Sequence, residues 1–137
     1  MIQFFIEDVD FKVPQPRKTK SWLQSIIKAE GFMLNQLNYI FCSDEYLLNV
    51  NRQYLEHDFY TDIITFDNSE EEAVVEGDIF ISIDRVKDNA QELKKPFEEE
   101  LRRVLAHGIL HLVGYDDHED EQEQEMRAKE DFYLTIS

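Results

Sequence analysis

Four short apolar runs alternate along this chain with segments of helical period, and that interleaving restricts the fold more than any other feature. Residues 2–6 (IQFFI), 37–42 (LNYIFC), 63–66 (IITF) and 77–83 (GDIFISI) read as strands, being short and rich in β-branched and aromatic residues. Trp22, Ile26 and Ile27 fall at helical spacing in a segment running to Glu30, with Gly31 as its stop. Ser43 or Asp44 can cap a second helix whose apolar side includes Leu47, Leu48 and Tyr54. Asp84 can cap a third, running to Leu93. Pro96 suits the first turn of a fourth, residues 97–113, which Gly114 ends, and an acidic fifth covers residues 120–134. The acidic run 68–72 reads as a solvated hairpin loop. Only four glycines and three prolines are available to break these elements, so the loops are short. The expectation is one mixed α/β (α+β) domain over residues 1–137, with a small sheet of about four strands and about five helices covering one or both faces.

Ten Phe and six Tyr supply enough apolar surface for a real core. The single cysteine, Cys42, cannot form an internal disulfide and sits in a buried-strand pattern, which suits a structural thiol in a reducing compartment. The N-terminal MIQFFIEDVDF lacks the basic start and long apolar run of a secretory signal. No stretch approaches the ~18 apolar residues of a membrane span. A cytoplasmic protein without a membrane partner is expected. Thirty acidic residues against fourteen basic ones give a formal charge of −16. That balance opposes non-specific binding to nucleic acid, so any RNA role must work against the overall field.

Three of the four histidines fall within residues 106–118 (AHGILHLVGYDDH). His107 and His111, four apart on a helix, leave the same face with Cβ atoms ~5–6 Å apart. Two imidazole nitrogens so placed can share one metal through bonds of about 2 Å. Gly114 lets the chain turn back and offer a third ligand, Asp117 or His118. Three protein ligands leave an open position, the pattern of a catalytic rather than a structural site, whose bound water ionises near pH ~7. One zinc per chain is the expected metal, with another divalent ion as the alternative. Zinc peptidases place a glutamate after the first histidine, where this chain has Gly108, so peptide hydrolysis would need a base from elsewhere. Glu100, two turns earlier on the same helical face, could serve as a base or a supporting group. A solvated helix acid is the expected reading for it.

The segment HGILHLVGYDDH, with Glu99-Glu100-Leu101 before it and Glu125-Met126 after it, resembles the YbeY family of bacterial endoribonucleases. That family's pattern is HGxLHLxGYDH followed at a fixed distance by a methionine. Gly77-Asp78-Ile79 is similar to its GDI strand, and Thr61-Asp62-Ile63-Ile64-Thr65-Phe66 to its TDVLSF; Asn89-Ala90 also matches. The resemblance implies a mixed α/β fold and one zinc held by three histidines. It further implies cleavage of single-stranded RNA, with maturation of the 3′ end of small-subunit ribosomal RNA and a part in ribosome quality control. The implied partners are ribosomal RNA, the small ribosomal subunit and its assembly proteins, and not DNA.

Two departures stand out. Counting from His107 puts Asp117 at the third-histidine position and His118 one place late; Asp117 is the favoured ligand, His118 the alternative if the loop shifts by one residue. The arginine that the family carries after a tyrosine is here Leu55, preceded by Tyr54. Arg52, three residues earlier on the same helix, is the candidate to take over its role against phosphate charge. Arg17, Lys18 and Lys20 in the early loop, with Arg102 and Arg103 on the ligand helix, are the cations expected to hold RNA. Two other readings remain: a metal-dependent hydrolase of peptides or small substrates, and a non-catalytic ribosome-assembly factor stabilised by its metal.

Overall fold

Pairing among the apolar runs decides the architecture. The computed structural model describes residues 1–137. In chain order the elements are β1 (Ile2–Ile6), α1 (Pro16–Ala29), β2 (Met33–Cys42), α2 (Asp44–Leu55), β3 (Ile63–Asp67), β4 (Val74–Ser82), α3 (Ile83–Glu92), α4 (Phe97–Leu112) and α5 (Asp120–Leu134). The sheet has the order β1-β2-β4-β3. β1 and β4 run parallel to β2, and β3 closes one edge antiparallel to β4 through the acidic hairpin. This is the small mixed α/β domain that the interleaved pattern predicts.

Alternation along the strands sorts side chains onto two faces. Leu37, Tyr39 and Phe41 of β2 join Val75, Ile79 and Ile81 of β4 in the main core, under α1, α3 and α4. On the opposite face Cys42, Leu47, Val50 and Ile64 form a smaller cluster with α2. Further along that face are polar pairs: Asn38 Nδ2 donates to Asp78 Oδ1 at 2.9 Å and Gln36 to Asn38 Oδ1 at 2.8 Å. Burial pushes the Cys42 thiol up to about 12, which makes it inert, as its strand pattern suggests.

Several local expectations are corrected. β2 and β4 begin at Met33 and Val74, which pair with each other, so both are longer than their apolar runs. The cap of α3 is Ser82, whose Oγ accepts from the Arg85 N–H at 3.1 Å, because β4 passes into the helix without a loop. Asp84 lies within the first turn instead. Tyr54 is exposed, since the last turn of α2 runs past the sheet edge and its ring meets only Phe66, edge-on at 6.0 Å. No helix is long and apolar enough to cross a membrane.

Candidate metal centre

The ligand helix α4 lies against the sheet through Leu101, Val104, Leu105, Gly108 and Ile109, all buried. Gly108 permits that approach. A Cβ there would sit 2.8 Å from Ile79 Cδ1 and 3.1 Å from Ile63 Cδ1. A glutamate at this position would be driven into the sheet, so the peptidase base is excluded by packing as well as by residue type. Gly114, at φ +107°, reverses the chain after the helix, and the Tyr115 N–H returns to Leu110 O at 2.9 Å.

This reversal brings three donors together. His107 Nε2 and His111 Nε2 are 2.9 Å apart, and Asp117 Oδ2 lies 3.5 and 3.7 Å from them. Tetrahedral ligands at zinc bond lengths are separated by about 3.3 Å, so the three atoms fit one ion. The hydrogen bonds behind the rings strengthen the case. His107 Nδ1 is 2.7 Å from Glu130 Oε2, and His111 Nδ1 is 3.1 Å from the Tyr115 carbonyl. Both partners are acceptors, so each Nδ1 carries the proton and each Nε2 presents a lone pair. Two lone pairs and a carboxylate then face one another, and that arrangement calls for a cation between them.

Charge and burial act on the rings unequally. Burial opposes the imidazolium of His107, but the hydrogen bond to Glu130 and the negative charge of Glu130, Asp117 and Asp62 outweigh it and raise its pKa. At His111 burial and the neighbouring His107 prevail over Asp117, and the pKa falls. Without a metal, His107 is therefore the ring that takes the extra proton.

The remaining sequence-derived residues lie elsewhere. His118 is 81% exposed and pairs with Asp116 at 3.1 Å, apart from the two ring nitrogens. Arg52 is on the exposed side of α2, bound to Asp58, and does not line the cavity beside His107. Arg17, Lys18 and Lys20 belong to α1 rather than to a loop. Lys18 and Arg102 line a different cavity, between α1 and α4, and Lys20 lies over the Phe4 ring. Of the five expected RNA-binding cations only Arg103 faces the site, held there by Glu130 at 3.0 Å and Asp131 at 2.9 Å.

A cavity of about 320 Å³ opens beside His107, with Asp62, Glu100, Arg103, Asp117 and Glu123 among its walls. Glu100 is not the solvated acid expected of it: it is 5% exposed, and its Oε1 has no hydrogen-bond partner. Burial raises its pKa, Arg103 opposing, and burial likewise raises that of Asp62.

Sequence reasoning passed over Glu130, Asp62 and Glu30. The acidic α5 buries Met126, Glu130 and Tyr133 against the rest of the molecule. Glu30, at the end of α1, accepts from Tyr115 OH at 2.7 Å, from Lys129 at 3.1 Å and from Tyr133 OH. It thereby ties the ligand loop to α5. No local spacing signals these residues. A carboxylate in the register of Met126, one turn on, is the only hint of Glu130.

Fold and geometry together define a small α/β protein with a three-donor candidate metal centre at the end of its longest helix. The chain matches the family described as Endoribonuclease YbeY over residues 3–136, and it belongs to that family. It is 56% identical over 135 residues to Endoribonuclease YbeY of Cytophaga hutchinsonii, covering 98% of this chain and 94% of the relative. With Endoribonuclease YbeY of Flavobacterium psychrophilum it shares 49% over 136 residues, covering 99% and 96%. Among solved structures it is similar to the solution structure of TM1509 from Thermotoga maritima, with a TM-score of 0.70 and 36% identity over 98% of this chain and 87% of that one.

Proposed function

We propose that this chain is a zinc-dependent endoribonuclease that cleaves single-stranded RNA, with His107, His111 and Asp117 as the ligands of one ion. Membership of the endoribonuclease family supports the RNA substrate. The observation that carries the metal is the convergence of two Nε2 atoms and a carboxylate within 3.7 Å. When bound, the ion polarises a phosphate oxygen and lowers the pKa of coordinated water. Glu130 and the Tyr115 carbonyl keep both imidazoles in the ligating tautomer. Asp62 and Glu100 face the cavity as carboxylates able to take up a proton, and Arg52, once released from Asp58, is the residue proposed to meet charge on the phosphate. The physiological reaction is 3′-end maturation of small-subunit ribosomal RNA in the cytoplasm, on an assembling small subunit with its assembly proteins, and in ribosome quality control.

Elemental analysis of untagged protein tests the centre. Wild type and His118→Ala are expected to carry close to one zinc per chain, and Asp117→Ala to lose it. Loss with His118→Ala alone would move the third ligand to His118, and a well-folded wild type without metal would overturn the reading. A non-catalytic assembly factor is favoured by one observation, Leu55 in place of the family arginine. RNA cleavage that disappears in the ligand variants distinguishes the enzyme from that scaffold.

A further inference from the structure

Between α2 and β3 the chain turns aromatic rings outward. Phe59 is 55% exposed and Tyr60 47%, beside Tyr54 at 65% and Leu55 at 38%. His57 stacks on Phe59 with ring centroids 5.1 Å apart and planes 21° from parallel. The segment is fastened from beneath. Buried Asn51 donates through Nδ2 to Phe59 O at 2.9 Å, and its own carbonyl accepts from the His57 N–H at 3.2 Å. Tyr60 OH donates to Glu45 at 2.5 Å, and the Arg85 guanidinium lies 5.5 Å from the Tyr60 ring. The backbone and the Tyr60 hydroxyl are thus held while Phe59, Tyr60 and Tyr54 keep about half or more of their surface in water, which marks a contact surface.

Its location and charge say which contact. Asp62 lines the cavity with His107 and Asp117. Chain length alone keeps the Phe59 backbone within about 11 Å of that wall. Most cations at this end of the molecule are paired: Arg52 to Asp58, Arg85 to Asp44 at 2.6 Å, and Arg103 to Glu130 and Asp131; Arg127, on the cavity wall, is the looser one, 4.0 Å from Glu130. A phosphate backbone finds little free positive charge here, on a chain of net charge −16. Unpaired bases need none, because every base has a face that can stack on an aromatic ring.

We propose that Phe59, with His57 and Tyr60, is a stacking platform for unpaired nucleobases of the strand entering the cavity; this rests on the endoribonuclease reading. Recognition then comes from base faces more than from phosphates, and it tolerates the acidic surface.

The test uses zinc-loaded protein and a fluorescent 2′-O-methyl oligoadenylate of about ten nucleotides, within the site sizes typical of single-strand binders. An abasic strand of equal length serves as control. Phe59→Ala and Phe59→Leu are expected to weaken oligoadenylate binding about tenfold, the usual effect of removing one stacking ring. Phe59→Trp restores it, and its fluorescence is quenched as the bases stack, against the buried Trp22 as background. The abasic strand binds every variant equally weakly, and wild-type affinity falls only shallowly with salt. Wild-type affinity in Phe59→Leu, an abasic strand bound as tightly as oligoadenylate, or no quenching in Phe59→Trp overturns the platform. If those results come from a wild type that still cleaves RNA, the endoribonuclease reading survives. A zinc-loaded wild type that neither binds nor cleaves RNA overturns both. Dimerisation abolished by Phe59→Ala, with RNA affinity unchanged, would identify the patch as a contact between two copies and overturn the platform as well. Should Phe59→Ala fail to fold, Phe59→Leu and the quenching in Phe59→Trp decide the matter.

Discussion

Glu130 stands on the last helix, yet it determines which nitrogen of His107 is free. Its carboxylate accepts a hydrogen bond from the Nδ1–H and another from Arg103. Glu130→Gln keeps the shape and removes the charge, and zinc affinity is expected to fall roughly 10- to 100-fold in a chelator competition, the usual effect of losing such a partner. The raised pKa of His107 has an opposite meaning in the two states of the centre. In chelated protein the proton on His107 contributes stability in full below the ordinary histidine pKa, and this is lost as pH rises through the raised folded value. In loaded protein proton and metal compete for Nε2, so zinc affinity weakens on acidification. The melting-temperature gap between loaded and chelated protein should therefore widen from pH 6 to pH 8. A constant gap would mean that His107 does not ligate. Glu30 works the other way: burial alone would raise its pKa, but Tyr133, Tyr115 and Lys129 together lower it. Its stabilisation is present above the ordinary carboxylate pKa and is lost as pH falls through the folded value. Glu30→Gln is expected to cost about 1–3 kcal/mol in urea unfolding at pH 7, with the loss shrinking in acid. At this scale the sequence showed the histidine pair, because one helical turn places both rings. Glu130 and Glu30 depend on packing between distant segments, which leaves no local trace.

The elements were legible in their order and type, less so in their extent. Apolar periodicity located every strand and helix, because each strand's inner face is covered. The first residues of β2 and β4, 33–36 and 74–76, were missed because polar Asn35, Gln36 and Glu76 separate the apolar pairs Met33-Leu34 and Val74-Val75 from the longer runs that follow. Glu100 misled for a related reason: within a run of three glutamates only the register of α4 against its neighbours decides which one is buried. Gly108 shows what that register demands. Gly108→Ala places a methyl against Ile79 and Ile63, and helix propensity alone would favour the change. Overpacking is expected to win, with a net loss of about 1–3 kcal/mol in urea unfolding. A stabilised Gly108→Ala would show that α4 can lift from the sheet at little cost.

For the whole molecule, an acidic balance that discourages RNA coexists with membership of an RNA-cleaving family. Most arginines near the cavity are paired with carboxylates, so the proposed relief comes from the exposed aromatic loop, which a charge count does not reveal. The proposed metal belongs to this scale as well, since its proposed ligands join α4 to the turn that leads into α5. Chelation at pH 8 should lower the melting temperature, by an amount equivalent to about 2.7 kcal/mol where free zinc stands at a hundred times its dissociation constant. Unchanged melting would separate the centre from the stability of the fold.

The clasp of α5 on Glu30 and His107 has a temporal side. A nascent chain that has emerged only as far as His118 already carries the proposed donors, but not the carboxylate that orients the first of them, nor Lys129 and Tyr133, which help fasten the ligand loop through Glu30. In the order of synthesis, then, the residues that form the proposed centre precede those that orient it, and the site reaches its described geometry only once α5 has been made and has docked.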